Sequence, residues 1–230
     1  FNTNVPFLYD GNSFDGRIDH NFTDSTKLFG KMNYSKYNIT QKAALGDVIG
    51  EGTLARDYTM TALANFVHGF SPSLLTEGRV GYNRYRTNVN GLDMTTLTNQ
   101  SLGIANPNPD PISAVGMARI QINGMPGIGT PVVYPLINTD NLFTFVNTWS
   151  KTFSRHTLKW GTEIHRNRMD RFQPQGLNLG PRGLFQYNPG TTSARGADLG
   201  PYGSFANAFA AFLIGAPDQT SRTYMPITPT

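Results

Sequence analysis

The feature that most constrains this chain is a unit that occurs three times: an alternating strand, a tight polar turn and a second alternating strand. Its centres are HNFTDSTKLFG (20–30), HGFSPSLLTEG (68–78) and KTFSRHTLKWG (151–161). Alternation with period two puts successive side chains on opposite faces, so each unit predicts an antiparallel hairpin with one apolar and one polar face. In the first, Leu28, Gly30, Met32 and Tyr34 oppose Lys27, Lys31, Asn33 and Ser35, with Phe29 an exception on the polar side. The strand before it sets Ile18, His20 and Phe22 against Arg17, Asp19, Asn21 and Thr23. In the second, Met60, Ala62, Ala64 and Phe66 oppose Thr59, Thr61 and Asn65, blurred by Leu63 and Val67, and Val80 and Tyr82 oppose Glu77, Arg79 and Asn83. In the third, Phe143, Phe145, Trp149 and Phe153 alternate with Thr144, Thr148, Ser150 and Thr152, and Leu158, Trp160 and Ile164 oppose Lys159, Glu163 and His165. Six strands are expected from these units.

Composition supports an all-β reading. Only 38% of the 230 residues are hydrophobic, while 24 Gly and 15 Pro favour turns and strands over helices. The 19 basic and 15 acidic side chains are intermixed without a basic run, which argues against nucleic acid as a partner. The absence of Cys excludes disulfides and thiolate metal sites. No segment reaches the roughly 18 apolar residues of a membrane-spanning helix; the most apolar run, SFANAFAAFLIGA (204–216), reads as a brief buried or loop-borne helix. The chain opens on FNTNVPFLYDGN without an initiating Met or a signal peptide, so it is expected to be an internal piece of a longer parent.

The connections discriminate among all-β folds. Turns inside the units are short, about three to five residues around Asp24-Ser25-Thr26, Ser71-Pro72-Ser73 and Ser154-Arg155-His156. Between and after the units the chain makes long excursions, at about 37–57, 87–139 and 168–219. Short turns on one rim and long Gly/Pro/Asn-rich loops on the other are the pattern of an antiparallel up-and-down transmembrane β-barrel. The expected fold over 1–230 is therefore a partial outer-membrane barrel domain: a sector of about six to eight strands, without plug, signal peptide or terminal strand. Its lumen-facing side chains would be Lys27, Lys31, Glu77, Arg79, Lys159, Glu163 and His165, and its lipid-facing ones Leu28, Met32, Val80, Tyr82, Leu158, Trp160 and Ile164. Phe22, Phe70, Tyr82, Tyr85 and Phe153, near strand ends, are candidates for an interfacial aromatic girdle.

The runs DGRIDHNFTDSTKLFGKMNYS (15–35), FSPSLLTEGRVGYNRYR (70–86) and TWSKTFSRHTLKWGTEIHR (148–166) resemble, in this order, hairpins of the barrel of TonB-dependent outer-membrane transporters of the Oar-like group. FANAFAAFLIGAPDQ (205–219) resembles a short apolar loop element of the same group. The resemblance implies a Gram-negative outer-membrane receptor that imports a ligand through a plugged barrel of about twenty-two strands. It also implies two partners, outer-membrane lipid and an energising TonB complex that acts through a part of the parent outside this chain. A plugless channel or adhesion barrel is the alternative, followed by a soluble secreted carbohydrate-binding β-sandwich.

No catalytic, cofactor or metal residue is assigned, and an enzyme is not expected. His156 falls on the opposite strand face from Glu163 and His165, so the three cannot converge on a metal. NPNPDP (106–111) offers calcium only one carboxylate, Asp110. GMPGIGTP (124–131) lacks the Lys-Ser/Thr ending of a phosphate loop. The loop 87–139, with Asp93, Asp110 and Arg119 as its only ionised side chains, is by position the expected place for ligand contact.

Overall fold

The computed structural model describes residues 4–105, 108, 115–174, 180–194 and 200–224. Six long strands form one antiparallel sheet: β1 (Phe7–Thr23), β2 (Thr26–Gln41), β3 (Thr53–Ser71), β4 (Leu74–Gly91), β6 (Leu136–Phe153) and β7 (His156–Phe172). They are ordered as they occur in the chain, so each pairs with the next long strand in an up-and-down meander. Among the described residues β1 and β7 pair on one side only, and nearly every residue of both is exposed. The sheet is an open sector with two free edges.

The three tight turns are shorter than the sequence predicts. Thr23 pairs with Thr26, Ser71 with Leu74 and Phe153 with His156, leaving the two-residue loops Asp24-Ser25, Pro72-Ser73 and Ser154-Arg155. Two-residue loops must match the twist of the strands they join. The first two hairpins do this beside a register shift that leaves Phe22 and Phe70 without direct partners; the third has no shift, and Ser154 takes a left-handed φ of 46°.

The strands are also longer than predicted, at 16 to 19 residues. Residues 37–41 and 53–57, read as loop in the sequence, belong to β2 and β3, so the connection shrinks to 42–52. The loop placed at 87–139 is 92–135, because β4 runs to Gly91 and β6 starts at Leu136, and the loop placed from 168 begins after Phe172. The reason is physical: beyond the apolar stretch both faces of these strands carry Asn, Thr, Arg and Lys, which erases the alternation while the backbone ladder continues.

The long excursions, expected to be mostly irregular, fold together. β5 (Arg119–Ile122), β8 (Leu184–Tyr187) and β9 (Gln219–Ser221) form a second, three-stranded sheet, β5 parallel to β8 and β8 antiparallel to β9. The helix α2 (Gly200–Leu213) covers it, where the sequence predicts a brief helix; α1 is a single turn at Thr98–Ser101. Ile122, Tyr187, Ala208 and Ala211 are buried together, with Ile120, Met125, Phe185, Phe209 and Phe212 packed around them.

Arg182 locks the excursions to one another. Only 2% exposed, it donates from Nε to the Val115 carbonyl at 2.5 Å and from Nη1 to the Tyr134 carbonyl at 2.8 Å. Asn99, equally buried, donates to the Arg182 carbonyl at 2.8 Å and accepts from the Ala118 amide at 2.6 Å. The 42–52 loop joins through the Gly129 amide, which donates to the Ile49 carbonyl at 2.7 Å, and through an ion pair of Arg119 with Glu51. Buried backbone polar groups need such partners, so the loops form a built module with its own core.

Candidate functional site

The functional surface of this molecule is the wall itself, and its ladder register decides which side chains share a face. Partners directly across a strand pair lie on the same face. Ile18, Gly30, Ala64, Val80, Phe145 and Ile164 form one such row across all six strands. Continued along the strands, the same face holds Leu28, Met32, Val80, Tyr82, Leu158, Trp160 and Ile164, all seven side chains expected to face lipid. The other face holds Lys27, Lys31, Glu77, Arg79, Lys159, Glu163 and His165, all seven expected to face the lumen. Phe29, the exception to the alternation, lies on this polar face, where the Arg17 guanidinium covers its ring at 4.2 Å.

The apolar face is bare. Ile18 is 78% exposed, Ile164 56% and Val80 53%, and small residues between the large ones leave two shallow furrows. One, of about 640 Å³, runs between Phe14, Ile18, Met32, Ala64, Val80 and Tyr82; the other, of about 440 Å³, runs between Leu28, Phe66, Val80, Phe145 and Ile164. An exposed apolar area of this extent has no place in water.

Aromatic rings border this band on both sides. Toward the tight turns His20 and Phe22 meet edge to face at 4.4 Å, His68 and Phe70 do the same, and Phe70, Trp149 and Trp160 stack in sequence at 5.5 and 6.2 Å. Toward the loops Tyr34 lies 6.2 Å from Tyr58, and Tyr82 lies 5.0 Å from Phe143. From Phe70 to Tyr58 on β3, twelve steps of about 3.4 Å at a tilt of about 40° rise about 31 Å, which matches an apolar band of roughly 25 Å with its girdles. Of the aromatics proposed for a girdle, Tyr85 is a correction: it pairs with Thr59 and Asp140, three residues from Tyr82 and therefore on the polar face.

Beyond the band the same face carries cations: Lys36 on β2, opposite Tyr58, Arg56 on β3, opposite Asn88, Arg84 on β4, opposite Met60, and Arg166 on β7, opposite Phe143.

Several charges on the polar face are paired within it. Arg17 pairs with Asp19 at 2.7 Å, Arg79 with Glu77 at 3.2 Å, Lys31 with Asp15 at 4.0 Å, and His165 Nε2 lies 2.7 Å from Glu163. Asn65, buried at 4% exposure, accepts from Arg79 Nε at 3.4 Å. His156 lies at the turn, on the opposite strand face from Glu163 and His165, as strand parity requires. In the loop module, burial pushes the Asp93 carboxyl up, but bonds from the hydroxyl and amide of Thr96, the amide of Thr95 and the hydroxyl of Thr98 outweigh it and hold the group below the ordinary carboxylate range. Asp110 of the NPNPDP stretch lies outside the described residues, and 124–131 is loop with a single isolated bridge at Ile128.

An up-and-down antiparallel sheet with one bare apolar face, one polar face and aromatic borders is a sector of a membrane β-barrel wall. A family model described as an outer membrane beta barrel domain matches residues 1–230, and the chain belongs to that family. It is thus a protein of the Gram-negative outer membrane, crossing it with strands; among the described residues no helix is long and apolar enough to do so. No curated protein and no solved structure matches the chain.

Proposed function

We propose that this chain is part of the barrel of a TonB-dependent outer-membrane receptor that takes up a ligand, and that it binds and conducts rather than catalyses. The observation that carries the reading is the ordered recurrence of the three hairpin motifs, 15–35, 70–86 and 148–166, on consecutive strand pairs of one sheet with free edges at β1 and β7. Free edges at membrane depth demand partners, since each unpaired backbone group there costs several kcal/mol, and the narrowest single-chain barrels have about eight strands. Six strands thus belong to a larger cylinder, and the receptors resembled have among the largest.

On this reading the face of Leu28, Val80 and Ile164 meets lipid, the face of Lys31, Arg79 and Glu163 lines the lumen, and the tight turns lie at the periplasmic rim. The loop module stands outside the cell, where it meets the ligand first. A preassembled module with a buried core presents a fixed surface, and ordering it costs nothing at the moment of binding.

The test is the parent protein. A plug domain and a TonB-contacting segment upstream of residue 1, together with ligand uptake that stops when the TonB complex is de-energised, is the expected result. A signal peptide joined directly to the barrel, or uptake indifferent to TonB, would replace the reading with a passive channel or an adhesion barrel.

A further inference from the structure

We infer that the loop-side end of the polar face is a subsite for a neutral saccharide, whose pyranose rings stack on Tyr9 and Tyr37 while their hydroxyls bond to Asp57. The inference names a substrate class for the transport reading and rests on the polar face being the lumen wall. What carries it is a set of aromatic rings that the wall does not need. A lipid-facing girdle accounts for Tyr34, Tyr58 and Tyr82 on the apolar face, but Tyr9, Tyr37 and Tyr85 have the opposite parity. Tyr9 is 59% exposed and Tyr85 38%, on a face that meets water. A group of rings left bare on a wet wall marks a place that a ligand covers.

The rings form a platform beside polar groups. Tyr9 and Tyr37 lie 5.9 Å apart with their planes at 31°. A Cβ at Gly11 would stand 3.0 Å from Tyr37 Cδ1 and 3.2 Å from Tyr9 Cε1, so the two rings lean over bare backbone. Gly11, Tyr37, Asp57, Thr87, Asn138 and Arg171 form one row across the sheet, and Ser13, Ser35, Thr59, Tyr85 and Asp140 stand in the next. Thr87 donates its hydroxyl to Asp57 Oδ1, which leaves Asp57 Oδ2 without a hydrogen bond among the described residues, directly across from Tyr37. The field also opens toward the loops. Thr53 and Gly91, further along the same face, touch the module: the Thr53 hydroxyl lies 3.3 Å from that of Tyr134, and a Cβ at Gly91 would stand 2.8 Å from Thr130 Cγ2. A ligand passing inward from the module meets these rings next.

These observations select the occupant. Parity excludes lipid. Charge does not call for an ion, because the two rows carry two acids and one base, and the acids already hold donors: Asp57 from Thr87 and Asp140 from Asn138 at 2.9 Å. What remains is an aromatic face beside an open carboxylate oxygen. A pyranose ring matches both, since its C–H face is apolar and its edge carries hydroxyls that each donate and accept.

The test uses the parent protein purified in a polyoxyethylene detergent, which carries no sugar, with isothermal titration calorimetry as the readout. The probes are neutral tetrasaccharides of glucose, galactose, mannose and xylose in α and β linkage. At least one of them should bind the wild-type protein. Tyr9→Ala and Tyr37→Ala should each weaken that binding roughly tenfold through loss of a stacking face, while Tyr37→Phe, which keeps the ring, should stay within about twofold. Asp57→Asn should weaken it severalfold, and Lys36→Gln, next to Tyr37 but on the opposite face, should leave it unchanged. Should Tyr37→Ala fail to fold, Tyr9→Ala, at an exposed position, and Asp57→Asn carry the test. Failure of the wild-type protein to bind any of these glycans, equal binding by the folded ring variants, or binding of tri-lysine in place of the glycans would overturn the subsite. TonB does not enter the measurement, so its outcome is separable from the transport reading. Uptake that depends on TonB with glycan binding untouched by the ring variants would overturn the subsite alone; glycan binding lost in those variants of a barrel indifferent to TonB would overturn only the transport reading.

Discussion

The wall and the loop module solve opposite problems with the same chain. The wall keeps large apolar side chains on its surface, with Ile18, Val80 and Ile164 all more than half exposed, and buries Ala55 alone of its hydrophobic residues. The module hides Leu184, Ile122, Ala208 and Ala211 almost completely under polar loops. The difference teaches where each region's stability originates. The module is held by burial and by satisfied polar groups such as Arg182, as a soluble domain is. The wall is held by its backbone ladder and needs lipid to cover its apolar face. Composition averages the two and hides both, which is why 38% hydrophobic residues suffice for a membrane protein.

Substitutions can break this contrast from either side. The largest effect is expected in the module. Leu184 is 1% exposed, and Leu184→Ala should cost about 2–5 kcal/mol of local stability. Amide hydrogen exchange would show faster exchange in 115–135, 180–194 and 200–222 with β1 to β4 unchanged. Val80→Arg should follow, at roughly 2–4 kcal/mol near the middle of a lipid-facing strand. Equilibrium unfolding from lipid vesicles measures it. Glu77→Gln, on the opposite face of the same strand, breaks only an exposed pair with Arg79 and should cost less than about 1 kcal/mol. The reverse ranking of these two would exchange the faces.

The smallest effect is a pH dependence confined to the module. The folded Asp93 carboxyl lies below its ordinary value, so the ionised form stabilises the fold. That contribution is present above about pH 4, where an unfolded Asp is ionised, and is lost as pH falls through the lower folded value. Proteolysis by an acid-active protease should therefore open the 92–105 segment sooner at pH 3 than at pH 5. Asp93→Asn should flatten the difference.

The wall was largely legible in the sequence. Parity alone sorted fourteen side chains into two groups of seven, and the ladder keeps each group on one face. Alternation survives in a barrel because lipid and lumen differ so sharply in polarity. Where the strands leave the membrane both faces are wet, the contrast vanishes, and 37–41 and 53–57 read as loop. The module was illegible for a different reason. Its β5, β8 and β9 are three or four residues long and come from distant parts of the chain, so their pairing leaves no local periodicity. Arg182 and Asn99, which hold it together, carry no motif. The cations beyond the apolar band could have been found: Arg84, Arg86, Arg166 and Arg168 continue the parity of Val80, Tyr82 and Ile164, and following that parity past the last aromatic residue reveals them.

The central claim is that the face of Val80 meets lipid while the opposite face meets water. The chain has no Cys, so single cysteines introduced at Val80, Phe145 and Ile164 on one face and at Lys31, Gly81 and Thr144 on the other meet no competing thiol within this segment. Each would carry an environment-sensitive fluorophore in the parent barrel, reconstituted in vesicles. The expected result is quenching by brominated acyl chains at the first three positions and by aqueous iodide at the second three. Iodide quenching at Val80, Phe145 and Ile164 with silence toward brominated lipid would contradict the account.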